Sequence, residues 1–213
     1  MKIHSKLLLA LFFVGSSAAL AADVAPDVLV RNTSNEVLEI IKKDKDIQAG
    51  DRKKILALVE NKILPHFDFV RITRLAVGKH WRAATPEQQQ ALVNEFRTLL
   101  VRTYSNALGA YRDQTFEVKP AEVKGNDAAV KVQINQPSGQ PILLDYSMEK
   151  AQQGWKIYDV MVSGISLVTS YRSSFNEEIS HNGIDGLIKR LVEKNQKLES
   201  GEEKPNNVQM LKK

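Results

Sequence analysis

A nearly uninterrupted apolar strand, followed by two amphipathic helices, is the feature that most constrains the fold of this chain. The strand spans residues 155–162, and the helices continue to residue 191. Apolar and aromatic side chains occupy both alternating sets of strand positions: Trp155, Ile157 and Met161 in one, and Tyr158, Val160 and Val162 in the other. Because successive side chains of a strand point to opposite faces, we predict a strand that is apolar on both faces. Each face then needs a cover, one supplied by the chain's own helices and the other by more protein or by a bound apolar ligand.

The first 21 residues have the features of a secretory signal peptide. Two lysines precede an apolar run over residues 7–20, and Ala19 and Ala21 supply the small residues of a cleavage site. The run is shorter than the roughly 20 residues that a membrane-spanning helix needs. We therefore predict a signal peptide at residues 1–21 and export of the mature protein.

Cysteine is absent from the chain. An exported protein without cysteine has neither a lipid anchor on an N-terminal cysteine nor a disulfide, so we expect a soluble protein stabilised by its hydrophobic core. A mature chain of roughly 190 residues is long enough to bury such a core.

The sequence shows no internal repeat and no linker. We predict one α+β domain over residues 22–199 and a disordered polar tail over 200–213.

The mature chain carries only a small excess of basic residues. Of the 30 Lys and Arg residues, Lys2 and Lys6 lie in the signal peptide, which leaves 28 against 25 Asp and Glu and a formal charge of +3. An excess of this size, spread along the helices, does not indicate nucleic-acid binding. It fits a solvated surface or, alternatively, attraction to anionic lipid surfaces, where each nearby Lys or Arg contributes about 1 kcal/mol.

The periodicity of the mature chain predicts helices, then strands, then helices. The first predicted helix spans residues 27–42, and the second runs from Asp51 to the residue before Pro65. A short helix then ends at Gly78, and a long helix runs from the capping box at Thr85 to Leu108. Two further helices lie before and after Gly183. The runs with strand periodicity are residues 116–118, 130–134, 142–148 and 155–162. Short turns between these runs imply antiparallel neighbours. We therefore predict an α+β fold with a meander of about four strands and six or seven helices.

Motifs for catalysis and metal binding are absent from the sequence. None of the histidines of the mature chain, His66, His80 and His181, has the spacing of paired metal ligands. Residues 163–166 lack the second glycine of a nucleophile elbow, and no phosphate-binding loop occurs. We therefore expect no metal, no cofactor and no catalytic residue.

Asp159 stands in the middle of the apolar strand, where an unpaired carboxylate would cost free energy. One interpretation is a structural aspartate that accepts hydrogen bonds from a helix terminus or pairs with Arg71 or Arg74. The other interpretation is a general base in a closed cavity. Asparagine at this position would lower stability or ligand retention in the first case, and only turnover in the second.

Separated motifs in the chain resemble those of one protein family. They are HFDFVRITRLAVGKHWRAATPEQQQALVNEFRTLL at residues 66–100, GISLVTSYRSSFNEEI at 164–179 and GIDGLI at 183–188. Together with the signal peptide and the helix-sheet-helix order, they resemble the MlaC or toluene-tolerance family of periplasmic phospholipid-binding proteins. The resemblance covers about residues 27–195.

This resemblance implies a twisted antiparallel sheet wrapped by helices around an apolar cavity, similar to nuclear-transport-factor-2-like (NTF2-like) domains. It also implies a soluble periplasmic shuttle for glycerophospholipid, without catalytic residues or a metal. Its implied partners are an outer-membrane lipoprotein–porin complex and an inner-membrane ABC transporter with a periplasmic substrate-binding subunit, and its implied role is to maintain outer-membrane lipid asymmetry. A periplasmic chaperone or scaffold for apolar segments, and a small-molecule enzyme with Asp159 as base, are the alternatives.

A soluble lipid carrier needs an apolar wall around the acyl chains. Transfer of about 30 methylenes into water costs on the order of 20 kcal/mol, so the chains must be enclosed. The cavity would lie at the large end of the roughly 300–1,000 Å³ range of ligand pockets. The residues that we predict to line it are Leu100, Tyr104, Leu108, Leu144, Tyr146, Val160, Val162, Ile165 and Val168. Taken singly, each of them is explained equally well by ordinary core packing.

Overall fold

The computed structural model describes residues 24–109, 111 and 113–203. The predicted signal peptide, and residues 204–213 of the predicted tail, lie outside the described residues. Helices precede and follow one antiparallel sheet, which confirms the predicted α+β fold. The limits of the single domain, residues 22–199, stay a prediction.

Helices begin at or next to the three starts that the sequence predicts before the sheet, near residues 27, 51 and 85, and the short helix Lys45–Gln48 is additional. The α-helices of the described residues before the sheet are α1 (Pro26–Lys43), α2 (Lys45–Gln48), α3 (Arg52–Leu58), α4 (Phe69–Val77), α5 (Pro86–Tyr104) and α6 (Asn106–Gly109). A π-helix at Val59–Ile63 continues α3, and 3₁₀ helices lie at Leu64–His66 and Gly78–Ala83. The side chains of Asp51, Asp68 and Thr85 accept hydrogen bonds from backbone N–H groups in the first turns of α3, α4 and α5. Gln88 completes the capping box of α5, because its side-chain oxygen accepts from the Thr85 N–H at 3.0 Å.

The helix predicted from Thr85 to Leu108 is interrupted at Ser105. The buried Ser105 hydroxyl donates to the Val101 carbonyl at 2.5 Å, a local bond of the kind that bends helices. The interruption separates α5 from α6. It places Leu108 on the short α6, against side chains of the first helices.

The helix after the sheet, α7 (Leu167–Ser200), is kinked at Gly183, as predicted. Gly183 has φ 72° and ψ −177°, a backbone region that is essentially restricted to glycine. Before the kink, the Glu178 carboxylate accepts a hydrogen bond from the Asn182 amide at 2.6 Å. The same carboxylate pairs with Arg190 beyond the kink, so a polar contact joins the two halves of the helix.

The sheet follows the predicted meander and extends it at two places. Its strands are β1 (Thr115–Val118), β2 (Glu122–Lys124), β3 (Asp127–Asn135), β4 (Ile142–Ala151), β5 (Gly154–Val162) and β6 (Ile165–Ser166). The strand order is β1-β3-β4-β5-β6, with β2 paired to β3, and every pairing is antiparallel. The predicted runs correspond to β1, β3, β4 and β5, whereas β2 and β6 are additional.

The prediction that residues 155–162 form a strand with two apolar faces is wrong. The register of β5 against β4 shifts at Tyr158, an extra residue in a β-bulge between Ile157 and Asp159. The bulge puts Val160 and Val162 on the same face as Ile157. The opposite face of the central strands is mostly polar: Lys131, Gln133, Asp145, Ser147, Glu149 and Lys156. Only one face of the sheet therefore needs an apolar cover.

Buried apolar side chains of the described residues form three clusters. The helical cluster joins α4, α5 and α7 and includes Ile72, Leu92, Phe96, Leu99, Val168, Phe175, Leu187 and Leu191. The sheet cluster consists of Val30, Ala128, Val130, Val132, Met148, Trp155 and Ile157. The α1–α3 cluster consists of Val37, Ile41, Ile47, Ile55 and Leu58. Partly buried apolar side chains lie at the borders of all three clusters.

Candidate functional site

The apolar face of the sheet is sealed over one part and left open over another. Val30 of α1 belongs to the sheet cluster, and Phe67 packs against it. Among the residues of the same face that keep part of their surface exposed, we call Phe116, Ile134, Ile142, Leu144, Tyr146 and Val160 the open half of the sheet. They are neighbours across β1, β3, β4 and β5. A partly exposed apolar surface of this kind can bind an apolar ligand.

The structure brings together the predicted lipid-contacting residues of the strands. Leu144 lies opposite Val162, and Tyr146 lies opposite Val160, all on the apolar face. Val162 is buried, with 7% of its surface exposed. Ile165 of β6 lies opposite Val162 and is 47% exposed, at the edge of this surface.

The predicted residues of the helices belong to different clusters. Leu100 is half-buried against the helical cluster, and Val168 is a buried member of it. Leu108 is half-buried against the α1–α3 cluster. Tyr104 is half-buried beside Tyr171. The predicted lining thus comes from three clusters, of which the helical and sheet clusters share Phe67 at their border. Its contact with a ligand stays a prediction.

The tyrosines of this region lie in surroundings of low polarity. Burial raises the pKa of Tyr146 to about 12, because the phenolate would be poorly solvated there. Burial also raises the pKa of Tyr104, and the neighbouring Tyr171 raises it further. These phenols are therefore neutral at physiological pH, which suits a surface that contacts acyl chains.

Sequence reasoning missed part of the open half of the sheet. The sequence predicts Phe116, Ile134 and Ile142 in strands but not in the lipid-contacting set. Ile134 lies opposite both Phe116 and Ile142, so the three side chains form a row across β1, β3 and β4. Strand alternation carries a signal for their common face, but their adjacency depends on the pairing register.

Asp159 is a structural aspartate at a helix terminus, in agreement with the first of the two interpretations above. Its carboxylate accepts hydrogen bonds from the Val160 N–H at 2.8 Å, from the Ser166 hydroxyl at 2.6 Å and from the Val168 N–H at 3.2 Å. Ser166 is the N-cap of α7, so the carboxylate binds the N-terminus of that helix. The alternative partner Arg71 instead forms an ion pair with Glu149.

Replacing Asp159 by asparagine is expected to lower the free energy of unfolding by about 1–2 kcal/mol, because one anionic acceptor of the helix terminus is lost. The matched control is Asp145→Asn on the neighbouring strand, where we expect a change within about 0.5 kcal/mol. Urea denaturation of both variants measures the difference. Equal stability of the two variants would contradict the capping role.

Surface hollows occur away from the open half of the sheet. One has a volume of about 650 Å³ and lies between the end of α4 and α7. Another has a volume of about 440 Å³ and lies beside the end of α1. Neither contains a residue of the predicted lipid-contacting set.

The described part of the chain contains neither a candidate membrane span nor a candidate metal site. No helix there combines the length and the apolar character needed to cross a bilayer. No group of three or more His, Cys, Asp or Glu side chains there is arranged to hold a metal ion.

Comparison with known proteins relates this chain to phospholipid-binding proteins. The solved structure of a phospholipid-binding protein from Ralstonia solanacearum, in complex with a phospholipid, is 40% identical and superposes with a TM-score of 0.76 over 83% of this chain and 99% of that one. The intermembrane phospholipid transport system binding protein MlaC of Haemophilus influenzae is 23% identical over 175 residues, 80% of this chain and 82% of its own length. The toluene tolerance protein ttg2D of Pseudomonas putida is 28% identical over 162 residues, 75% of each chain.

A family model supports the same relationship. The model described as MlaC protein matches residues 31–193, which include every helix and strand that borders the open half of the sheet except the first turn of α1 and the last turns of α7. Because this match spans more than half of the sequence and the Ralstonia structure shares the fold, the chain belongs to the MlaC protein family.

Proposed function

We propose that this protein binds a glycerophospholipid, encloses its acyl chains against the open half of the sheet, and carries it through the periplasm between the outer and inner membranes. The observation that carries the proposal is the apolar, partly exposed sheet face in a chain that is 40% identical to a protein solved in complex with a phospholipid. The function is binding and transport, without catalysis.

The residues proposed to contact the acyl chains fall into three groups. Leu144, Tyr146 and Val160 on the sheet, together with Leu100, Tyr104 and Leu108 on α5 and α6, are half-buried and would face the chains directly. Val162 and Val168 are buried and would complete this wall beside them. Ile165 is exposed at the edge of the sheet and would lie at the mouth of the cavity. The headgroup would remain at that mouth, in contact with water.

The partners of such a shuttle are an outer-membrane lipoprotein–porin complex and the periplasmic substrate-binding subunit of an inner-membrane ABC transporter. The chain carries no nucleotide-binding motif, so the direction of transport depends on the relative affinities of the partners or on ATP hydrolysis by the transporter. Removal of residues 1–21 during export would deliver the mature protein to the periplasm.

Release of the lipid requires the sheet and the helices to separate or a partner to offer an apolar path. Gly164 and Gly183 are the pivots that we propose for this movement. Gly164 completes a two-residue turn between β5 and β6, in which Ser163 and Gly164 have φ values of 49° and 85°. Gly183 lies at the kink of α7 and is the better placed of the two to change the angle between helix segments.

Native mass spectrometry of the mature protein, purified without detergent, tests the proposed function. We expect the protein to carry masses that match glycerophospholipid, and lipid extraction should identify them. After delipidation, the protein should take up phospholipid from vesicles again. A folded protein that carries no lipid and takes none up would contradict the proposal.

A second readout separates the proposed function from its alternatives. Asp159 is occupied by three hydrogen-bond donors at the start of α7, which argues against its use as a base. A periplasmic chaperone would suppress the aggregation of an unfolded client in the form in which it is purified. We expect the lipid-loaded protein to have no such activity.

A further inference from the structure

A basic hollow lies on the side of the molecule formed by the helices. Its volume is about 650 Å³, within the usual range of small-molecule pockets. Four cationic side chains line it: Arg74, Lys79, Arg82 and Arg172. No Asp or Glu lines it, and it shares no residue with the proposed lipid-contacting set. The hollow therefore presents positive charge without a counter-charge.

The cations of this hollow differ from other arginines of the same helices in lacking an acidic partner. Arg71 of α4 pairs with Glu149, and Arg97 of α5 pairs with Glu60. By contrast, Arg74, Lys79 and Arg82 enter no ion pair with any residue that the structure describes, and their side chains are exposed. Like charges that share one hollow repel each other, so an anion bound among them would be stabilised by all of them.

Arg172 is held in place by the backbone at the edge of the hollow. Its Nε donates a hydrogen bond to the Leu75 carbonyl at 2.8 Å. This bond fixes the guanidinium plane and leaves the two terminal nitrogens for another acceptor. A planar guanidinium with two parallel N–H groups matches the oxygens of a phosphate.

Trp81 and Ser173 add further donor groups to the lining, an indole N–H and a hydroxyl. We propose that this hollow binds a phosphate ester, held by Arg172 and by the charges of Arg74, Lys79 and Arg82. The phosphate belongs either to a free phosphomonoester or to the headgroup of an anionic phospholipid in a membrane surface. This site is independent of the proposed acyl-chain cavity.

The test uses the mature protein with two probes. Isothermal titration with sn-glycerol 3-phosphate measures binding of a free ester, and cosedimentation with vesicles of phosphatidylglycerol in phosphatidylcholine measures binding of a headgroup. The variant K79Q/R82Q removes two exposed charges from the hollow. We expect K79Q/R82Q to weaken binding of whichever probe the wild-type protein binds by at least about tenfold. The matched control is K42Q/K45Q, which removes the same charge beside the second hollow, where Asp113 also lies.

The outcomes of this experiment are distinct. Loss of glycerol phosphate binding in K79Q/R82Q, with less than about a twofold change in the control, supports the free-ester source. The same pattern with vesicles alone supports the headgroup source. Equal weakening in both variants would mean that only net charge matters, and would overturn the site. Failure of the wild-type protein to bind either probe would overturn it as well, even if the protein carries phospholipid in its cavity.

Discussion

Replacing Leu144 by aspartate is expected to weaken the binding of phospholipid at neutral pH by at least about 100-fold. Leu144 lies in the open half of the sheet, between Val132 and Val162 in the pairing register. A carboxylate at this position would have to be buried against acyl chains when lipid binds, at a cost of several kcal/mol. Because Leu144 keeps part of its surface exposed in the fold, the cost to folding is smaller than the cost to binding.

The neighbouring residue provides a matched control for this prediction. Leu143 lies on the opposite face of β4 and is 52% exposed, so Leu143→Asp places the same charge one residue away on the water side. We expect Leu143→Asp to retain lipid at the wild-type level. The lipid content of both variants, measured by extraction and native mass spectrometry, and their thermal unfolding decide the point. Equal lipid loss in the two variants would contradict the proposed position of the cavity.

The pH dependence of the Leu144→Asp variant gives a further check. An apolar environment raises the pKa of a carboxyl group above its ordinary value of about 3.9, because burial disfavours the charged form. At pH values below the raised pKa the side chain is neutral, so lipid retention should recover as the pH falls towards about 4. The wild-type protein should show no such recovery over the same range.

Local signals were sufficient to predict most of the elements that surround the site. The predicted caps at Asp51 and Thr85, and the predicted break at Gly183, depend on residues that lie within a few positions of each helix end. The strands β1, β3, β4 and β5 follow from alternation and from the turns between them. The short strands β2 and β6 carry too few residues for a periodic pattern.

The bulge at Tyr158 could not be predicted from the alternation of residues 155–162. A bulge is defined by pairing with the neighbouring strand, and here it also brings Asp159 to the N-terminus of α7.

The distinction between the sealed and open parts of the apolar face also depends on contacts between distant parts of the chain. Val130 is fully buried, whereas Tyr146 opposite it keeps part of its surface exposed, and Val30 of α1 belongs to the same cluster as Val130. Such long-range packing is not encoded in the pattern of either strand alone.

The largest loss of stability is expected from Phe96→Ala, in the helical cluster between α4, α5 and α7. Phe96 is 1% exposed, and its ring makes edge-to-face contacts with Tyr171 and Phe175, both at 4.9 Å between centroids. Truncation leaves a cavity between α5 and α7 and should cost about 3–5 kcal/mol, a large part of the roughly 5–15 kcal/mol by which domains are stable.

The matched control is Phe116→Ala in the open half of the sheet, where a partly exposed ring loses fewer contacts. In guanidinium denaturation of the delipidated protein, we expect Phe116→Ala to cost less than half as much. Equal losses would mean that the open half is packed as tightly as the helical cluster, leaving no room for acyl chains against the sheet.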